Sequence, residues 1–345
     1  MNHVAIDLGG RESQICVRNE TGTVLEEERC TTTGLRRRLA QIPRSHVVME
    51  TCAEAFAVAN WAKAAGHEVT VVPSSLVKSL GVGARGVKTD VRDARNLSEA
   101  ACRMSQLPSV HVPSARSREL KELSTMRESL VSARTKLINT TRSWLRMQGL
   151  PALRGGNANR FASKFRKHVE THLGCPPTAA IDRQLICIEA MTEQMMTAEK
   201  ELHDLAEEDD VCRRLMTVPG VGPLVALRFL AAIDDVTRFE GAHVVGSYLG
   251  LTPGERSSSD TQRRTGITKA GSPRVRWILQ QAAWSAWRSR PNDPMVRWAW
   301  DLSLRRGRKI AAVALARKIA GIMYAIWRDG STYRADAGAA SSTTT

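Results

Sequence analysis

The sequence predicts an α/β domain at the N-terminus followed by a longer, mainly helical region. Strand and helix patterns alternate over the first 72 residues, whereas residues 117–147 and 181–208 contain no Gly or Pro and carry apolar residues at helical spacing. The 345 residues include 50 Lys or Arg against 35 Asp or Glu, a net charge of +15. A charge excess of this size favours a polyanion, above all nucleic acid, as the partner.

The N-terminal pattern predicts a defined order of elements. Strands are predicted at residues 4–8, 13–18, 23–29, 46–50 and 68–72, and helices at residues 34–41 and 53–65. The first three strands read as an antiparallel meander, and the later strands are separated by helices. This order is that of a ribonuclease-H-like sheet.

The composition predicts four segments along the chain. They are the α/β domain at 1–110, a helical linker at 111–210 with a basic lobe between its two long helices, a mainly helical segment at 211–335, and a disordered tail at 336–345. The two long helices are expected to pair as a hairpin or a coiled coil, within one chain or between subunits.

Several classes of protein are disfavoured by the sequence. No stretch approaches the roughly 20 uncharged apolar residues of a membrane span, and no signal peptide is visible. The seven cysteines are scattered, without a CxxC pair or a zinc-like spacing. We therefore expect a cytoplasmic protein with reduced thiols and no membrane partner.

The segment KTDVRDAR, which begins at Lys88, is the most informative part of the chain. On a helix, Asp90 and Asp93 would lie on one face about one turn apart, where two carboxylates repel each other unless a cation lies between them. A divalent metal beside nucleic-acid phosphate is one interpretation. A solvated helix face, with the aspartates paired to Lys88, Arg92 and Arg95, is the other.

Two further carboxylates favour the metal interpretation. Asp7 ends the first strand and Glu50 ends the fourth, and these strands are neighbours in a ribonuclease-H-like sheet. With Asp90 and Asp93 they would form a four-carboxylate site for Mg²⁺, or alternatively Mn²⁺. Taken singly, Asp7 reads as a turn residue and Glu50 as a surface charge. A rival interpretation is the phosphate loop of actin-like ATPases, which AIDLGG at 5–10 resembles, although no second such loop is found.

The motif VPGVGP at 218–223 precedes an apolar helix and resembles the hairpin of helix-hairpin-helix DNA-binding modules. There, Gly220 and Gly222 would let backbone N–H groups approach a phosphate. A simple Gly/Pro connector between helices is the alternative.

A serine cluster is followed by a basic, glycine-punctuated stretch. Residues 248–260 read YLGLTPGERSSSD and residues 263–271 read RRTGITKAG, ahead of a helix that begins near Pro273. A serine hydroxyl can attack a phosphodiester when guanidinium groups stabilise the charge. A flexible Ser-rich loop is the alternative. The candidate phosphate-binding residues here are Arg263, Arg264, Thr268 and Lys269.

The next helix mixes basic and aromatic residues, which suits contacts to nucleic-acid backbone and bases. Arg274 and Arg276 are the candidates for such contacts. Trp277, Trp284 and Trp287 fall on one side at helical spacing, which favours a place in the core for some of them.

Together these motifs resemble the DEDD transposases of the IS110 insertion-sequence family, whose relatives include the Piv-type invertases. The resemblance covers nearly the whole chain and rests most on KTDVRDAR and on the run from GLTP at 250–253 to ITKAG at 267–271. It implies a RuvC-like domain in which Asp7, Glu50, Asp90 and Asp93 hold Mg²⁺, a coiled-coil linker, and a C-terminal transposase domain with a nucleophilic serine.

The position of that serine is the main departure from the family pattern. The family usually has Ser-Ser-Gly, and this chain has Ser257, Ser258, Ser259 and Asp260. Register favours Ser258 as the nucleophile, with Ser257 as the alternative.

The resemblance implies an RNA-guided recombinase that cuts and rejoins DNA through a phosphoserine intermediate. Its partners would be double-stranded donor and target DNA, a structured noncoding guide RNA, and further copies of itself in dimers or tetramers at the bacterial nucleoid. Two alternatives stay open: a metal nuclease like the Holliday-junction resolvases, without serine chemistry, and a non-catalytic DNA- or RNA-binding protein.

Overall fold

A computed structural model describes residues 1–77, 80, 89–258 and 261–335, with the backbone alone for 256–258 and 261–264. The chain divides into two compact units, Met1–Pro113 and Ser114–Thr345. Lys88 and the tail at 336–345, which the sequence predicts to be disordered, lie outside the described residues.

The first unit is an α/β sheet domain. Its strands are β1 (Asn2–Asp7), β2 (Glu12–Arg18), β3 (Val24–Thr31), β4 (Ser45–Glu50) and β5 (Glu68–Val72). Its α-helices are α1 (Leu35–Gln41), α2 (Ala55–Ala64), α3 (Ser74–Val77) and α4 (Asp90–Arg103). The sheet order is β3-β2-β1-β4-β5, with β1, β2 and β3 antiparallel and β1, β4 and β5 parallel. The predicted strands, and the helical state of the two aspartates, are confirmed.

The two faces of the sheet bury different layers because side chains alternate along a strand. Val4, Ile6, Val47 and Met49 lie in a cluster with apolar residues of α1 and α2. Their neighbours in the strands face the opposite way, and that face forms a cluster with α4. The members of this second cluster include Ala5, Val48, Val72, Leu97 and Ala100. The helix that carries the aspartates therefore packs directly on the central strands.

The second unit is mainly helical, as predicted. Its helices are α5 (Ala115–Met147), α6 (Phe161–Leu173), α7 (Ala179–Glu208), α8 (Asp210–Leu215), α9 (Pro223–Ile233), α10 (Ala242–Tyr248), α11 (Pro273–Ser289), α12 (Pro294–Arg306) and α13 (Arg308–Asp329). Two strands, β6 (Pro253–Ser258) and β7 (Thr261–Ile267), form an antiparallel hairpin.

The two long helices, α5 and α7, pair antiparallel. Arg134 Nη1 donates to Thr192 Oγ1 at 3.3 Å, and Thr141 Oγ1 donates to Gln184 Oε1 at 3.3 Å. A later residue of α5 thus contacts an earlier residue of α7, as two antiparallel helices require. The two helices form a helical hairpin. The lobe between them contains α6 in addition to the expected loops.

The C-terminal core is built around α13. Tyr324 is almost fully buried, and its hydroxyl donates to the Phe239 carbonyl oxygen at 2.6 Å. Within the described ranges α13 is also the one helix long and apolar enough to cross a membrane, and half of its most apolar stretch is buried. Leu315, Ile319 and Met323 on this helix belong to the main hydrophobic cluster, so its apolarity is that of a core helix.

Candidate active-site residues

The sheet places Asp7 and Glu50 next to each other. β1 and β4 are parallel, with Ile6 opposite Met49 as the last pair, and Asp7 and Glu50 follow directly. Both residues are half-buried. The expectation that both carboxylates emerge at one edge of the sheet agrees with this register.

Alternation along the strands sets the face on which these carboxylates lie. Asp7 is two residues beyond Ala5, and Glu50 is two residues beyond Val48. Ala5 and Val48 both belong to the cluster formed with α4. Because side chains two apart in a strand share a face, Asp7 and Glu50 lie on the α4 side of the sheet.

Asp93 enters the same face from α4. Thr89 caps this helix, and its Oγ1 accepts a hydrogen bond from the Arg92 backbone N–H at 3.4 Å. Asp93 lies one turn into the helix, is 4% exposed, and neither of its carboxylate oxygens has a hydrogen-bond partner. Asp90, one turn earlier, is exposed.

A buried carboxylate without partners is costly, because a charge removed from water needs a compensating charge or hydrogen bond. The positive end of the helix dipole offsets part of that cost for Asp93. A bound cation would offset the rest, and carboxylate oxygens are the donors that Mg²⁺ prefers. The unpartnered carboxylate of Asp93 therefore fits a ligand of a divalent metal.

The four predicted carboxylates do not form a closed cage. Over residues 1–77, 80, 89–258 and 261–335, no three His, Cys, Asp or Glu side chains lie close enough together to hold one ion. The structure brings Asp7 and Glu50 together on adjacent strands and places Asp93 on the same face, while Asp90 stays at the solvent-exposed start of the helix.

The basic residues of α4 differ in their surroundings. Arg92 is exposed. Arg95 forms a two-pronged ion pair with Glu27 on β3, and this hydrogen-bonded guanidinium lowers the pKa of Glu27. Arg95 is therefore partly engaged within the domain, which leaves Arg92 as the freer cation of the pair.

Ser257 and Ser258 lie on strand β6, whereas Ser259 and Asp260 are outside the described residues. Ser257 is opposite Gln262 and Ser258 is opposite Thr261 in the β6–β7 hairpin. The side chains of these serines, and of Arg263 and Arg264 on β7, lie outside the described part of the structure. Backbone pairing thus places both candidate nucleophiles at the end of β6.

The GLTP and ITKAG motifs close the base of this hairpin. The backbone N–H of Thr268 donates to the Thr252 carbonyl oxygen at 2.9 Å, and that of Lys269 donates to the Gly250 carbonyl oxygen at 3.2 Å. A side chain on Gly250 would come within 2.6 Å of the Ala270 backbone nitrogen. The motifs therefore have a structural role, while the side chains of Thr268 and Lys269 remain exposed.

The two glycines of VPGVGP have different environments. Gly220 has φ +83°, and a Cβ there would collide with the Ala282 carbonyl oxygen and the Ala286 nitrogen of α11. Close packing against α11 is sufficient to explain the glycine at this position, without the expected approach of its backbone to a phosphate. Gly222 precedes α9 with open space around the position of a Cβ, and it keeps that role as a candidate.

Some basic and aromatic residues of α11 are exposed and others are buried. Arg274 is exposed and pairs with Glu128 at 3.3 Å. Arg276 is 8% exposed and donates to the Leu249 and Gly271 carbonyl oxygens, so its guanidinium holds the fold rather than facing solvent. Among the tryptophans, Trp287 lies in the core and Trp284 packs against it, whereas Trp277 is 49% exposed, so the prediction that some of the three are core residues is confirmed.

Two residues near the carboxylates were not found from the sequence. Thr89 fixes the start of α4, and the signal for it is a threonine directly before the helical pattern. Glu54 follows β4, and its Oε1 lies 3.8 Å from the position of a Cβ on Gly10, just after β1. Its signal is weaker, since a single Glu after a strand has many interpretations.

A sheet domain with carboxylates at the ends of its central strands, joined to a basic helical unit with a serine hairpin, defines a nucleic-acid-processing enzyme. The chain belongs to the IS110 family of DEDD transposases. The model of the family described as Transposase IS116/IS110/IS902 matches residues 212–297, and a transposase model for the DEDD type of IS110 matches residues 4–148.

Several relatives match along most of the chain. A probable family 20 transposase of Pseudomonas aeruginosa is 31% identical, over 85% of this chain and 87% of its own length. The transposase of insertion sequence element IS1111A from Coxiella burnetii is 29% identical, over 97% and 92%. That of IS1328 from Yersinia enterocolitica is 26% identical, over 96% and 98%. The protein is accordingly a DNA transposase.

Proposed function

We propose that this transposase cuts and rejoins DNA through a phosphoserine intermediate, with Mg²⁺ held by Asp7, Glu50, Asp90 and Asp93. The observation that carries the proposal is the buried, unpartnered carboxylate of Asp93 on the sheet face that also bears Asp7 and Glu50. The strand order supports a RuvC-like fold for the first unit. The domain boundaries at 110 and 210 stay part of the proposal.

The reaction would proceed in two balanced steps. The hydroxyl oxygen of Ser258, or alternatively Ser257, attacks the phosphorus, its proton passes to a base, and one bridging P–O bond breaks to release a strand end. The hydroxyl of the incoming strand then attacks the same phosphorus, and the serine oxygen leaves with a proton. Bound at the carboxylates, a divalent ion would supply Lewis-acid stabilisation of the phosphate charge.

The chain's own groups have separate roles in this proposal. Asp7 and Glu50 are fixed by two paired strands, so their spacing does not depend on loops. Asp93 is fixed by a capped helix that packs on the same strands. The serines lie on a paired strand, which limits the freedom of the nucleophile.

Nucleic acid would bind through the exposed cations that the fold leaves at the surface. Arg92, Arg274 and Lys269 are exposed, whereas Arg276 is buried and is not proposed to contact DNA. The net charge of +15 predicts binding that weakens steeply with salt. A structured guide RNA, donor and target DNA as joint partners, and assembly into dimers or tetramers follow from the family resemblance.

The proposal is tested by trapping the intermediate. Protein, DNA of the element's ends and its noncoding RNA are incubated with Mg²⁺ and analysed on a denaturing gel. A covalent protein–DNA adduct that is lost in Ser258→Ala and retained in Ser257→Ala supports the mechanism. Strand cleavage with no adduct would favour a resolvase-like metal nuclease, and salt-sensitive binding without cleavage would favour a binding protein.

A further inference from the structure

A small cleft lies in the lobe between the two long helices. Its volume is 140 Å³, which suits a phosphate group and is tight for a nucleobase with its sugar. One wall is α5, and the other walls are the loop before α6 and the first turn of α6. The lining residues are Thr135, Ile138, Asn139, Arg142, Leu153, Gly155, Gly156, Asn157, Ala158, Phe161 and Lys164.

The polar lining of the cleft is cationic and donor-rich. Arg142 and Lys164 contribute two positive charges, and no carboxylate is among the lining residues. Within the described part of the chain neither cation forms an ion pair. Arg166, two residues beyond Lys164, is by contrast bound to Asp182 at 2.8 Å and Glu189 at 2.5 Å. Asp182 and Glu189 are thus engaged by Arg166, and the cleft lining itself keeps its two positive charges.

The loop is shaped to hold a cation beside its backbone. Gly155 and Gly156 have φ of +65° and +112°, values that side chains other than glycine rarely adopt. A Cβ on Gly156 would lie 2.6 Å from Lys164 Nζ, so the absent side chain leaves room for the ammonium group. Arg142 lies over the Phe161 ring at 5.4 Å, which orients its guanidinium at the other side.

A buried guanidinium behind the loop adds to the positive field. Arg134 is 7% exposed, and its Nη1 donates to Asn159 Oδ1 at 2.8 Å and to Thr192 at 3.3 Å. Its Nε has no partner, and burial lowers its pKa. Neutral oxygens alone hydrogen-bond this guanidinium, and Glu199, which is bound to Arg127, is its nearby carboxylate, so the positive charge is compensated only in part.

We propose that this cleft binds one backbone phosphate of a nucleic acid, with Arg142 and Lys164 as its cationic ligands. Shape and charge together carry the inference: a cleft of phosphate size, two unpaired cations, no acidic lining, and a glycine loop that admits the ammonium group. The proposed function supplies the reason for the phosphate to come from nucleic acid, while the anion site itself does not depend on the serine chemistry.

The test compares two double variants of the full-length protein with equal charge changes. Arg142→Gln with Lys164→Gln removes the cleft cations. Arg146→Gln with Lys167→Gln removes one cation from each of the same two helices outside the cleft lining. Affinity for single-stranded RNA and for duplex DNA is measured between about 50 and 200 mM salt. Because log K falls roughly linearly with log salt, each series gives one salt slope.

The cleft variant should bind one of these probes about tenfold more weakly. Its salt slope should fall by about 0.7 on single-stranded RNA or about 0.9 on duplex DNA, the value for one lost phosphate rather than two. The control variant, Arg146→Gln with Lys167→Gln, should have a salt slope closer to that of the wild type than the cleft variant has. Equal losses in both variants would overturn the proposal, since a diffuse basic surface would then explain the binding.

A second readout separates the source of the phosphate and does not require a reaction. Inorganic phosphate, compared with chloride at equal ionic strength, should slow amide hydrogen exchange in residues 153–158 of the wild type and not of the cleft variant. Protection by inorganic phosphate without any change in the nucleic-acid salt slope would overturn the assignment to a backbone phosphate. Failure of adduct formation with both readouts intact would contradict the serine mechanism alone.

Discussion

The substitution Asp93→Asn should have opposite effects on stability in the absence and the presence of Mg²⁺. The carboxylate is 4% exposed and both oxygens lack partners, so the wild type without metal carries an uncompensated buried charge. An unpartnered buried polar group costs about 1–3 kcal/mol and a charged one costs more, so the neutral asparagine amide at this site costs less than the carboxylate. The favourable interaction with the N-terminus of α4 returns about 0.3–1 kcal/mol. Removal of the charge should therefore stabilise the metal-free sheet domain by about 1–2 kcal/mol.

Metal binding should reverse this order. At a Mg²⁺ concentration 100 times its dissociation constant, the wild type gains about 2.7 kcal/mol. The variant, which lacks a ligand, should gain much less. The wild type would then be the more stable protein by roughly 1 kcal/mol.

Amide hydrogen exchange in β1 and β4 measures the effect in the unit that contains the site. With a chelator, the variant's amides should exchange about 5 to 30 times more slowly than those of the wild type. Asp90→Asn is the matched control, because its carboxylate is exposed and its removal should not stabilise the metal-free protein. An Asp93→Asn variant that is less stable without metal would show that the buried carboxylate is compensated, and one that keeps the full Mg²⁺ effect would show that Asp93 is not a metal ligand.

Three further predictions concern the second unit. Gly220→Ala should lower the free energy of unfolding by at least about 2 kcal/mol in chemical denaturation, because φ is +83° and the methyl group would strike α11; an unchanged midpoint would contradict this packing. Tyr324→Phe should cost about 1–2 kcal/mol in the same assay, since the Phe239 carbonyl oxygen loses its buried donor, and a neutral result would argue against that hydrogen bond. Burial raises the pKa of the Cys212 thiol to about 12. Alkylation at about pH 8 should therefore label exposed Cys187 and spare Cys212 until the protein unfolds, and rapid labelling of Cys212 in the native protein would contradict its burial.

The sheet domain was predictable because its signals are local. Alternating apolar residues define the strands, and Gly66 marks the end of α2 in the sequence as in the fold. The neighbouring positions of Asp7 and Glu50 follow from strand order alone, because parallel strands bring their carboxyl ends to one edge. The burial of Asp93 depends on how α4 packs on the sheet, which no periodicity in the segment reveals.

The second unit was less predictable because tertiary packing overrides local patterns there. The β6–β7 hairpin is rich in Ser, Arg and Gly and has no apolar alternation, so its sequence reads as a loop. Arg276 is buried by contacts to the carbonyl oxygen of Leu249, 27 residues earlier, and to that of Gly271, just before its own helix, whereas arginine is usually exposed. Gly220 is required by a helix that follows it by more than 50 residues, which the motif itself does not show.

The central claim is that carboxylates of the sheet domain and a serine of the hairpin act in one strand-transfer reaction. Mass spectrometry of the protein after reaction with DNA, followed by nuclease digestion, tests it most directly. A nucleotide remnant is expected on Ser258 in the presence of Mg²⁺. It should be absent with a chelator and absent in Asp93→Asn. DNA cleavage in which no serine of residues 257–259 carries a remnant, or a remnant that forms equally in Asp93→Asn, would contradict it.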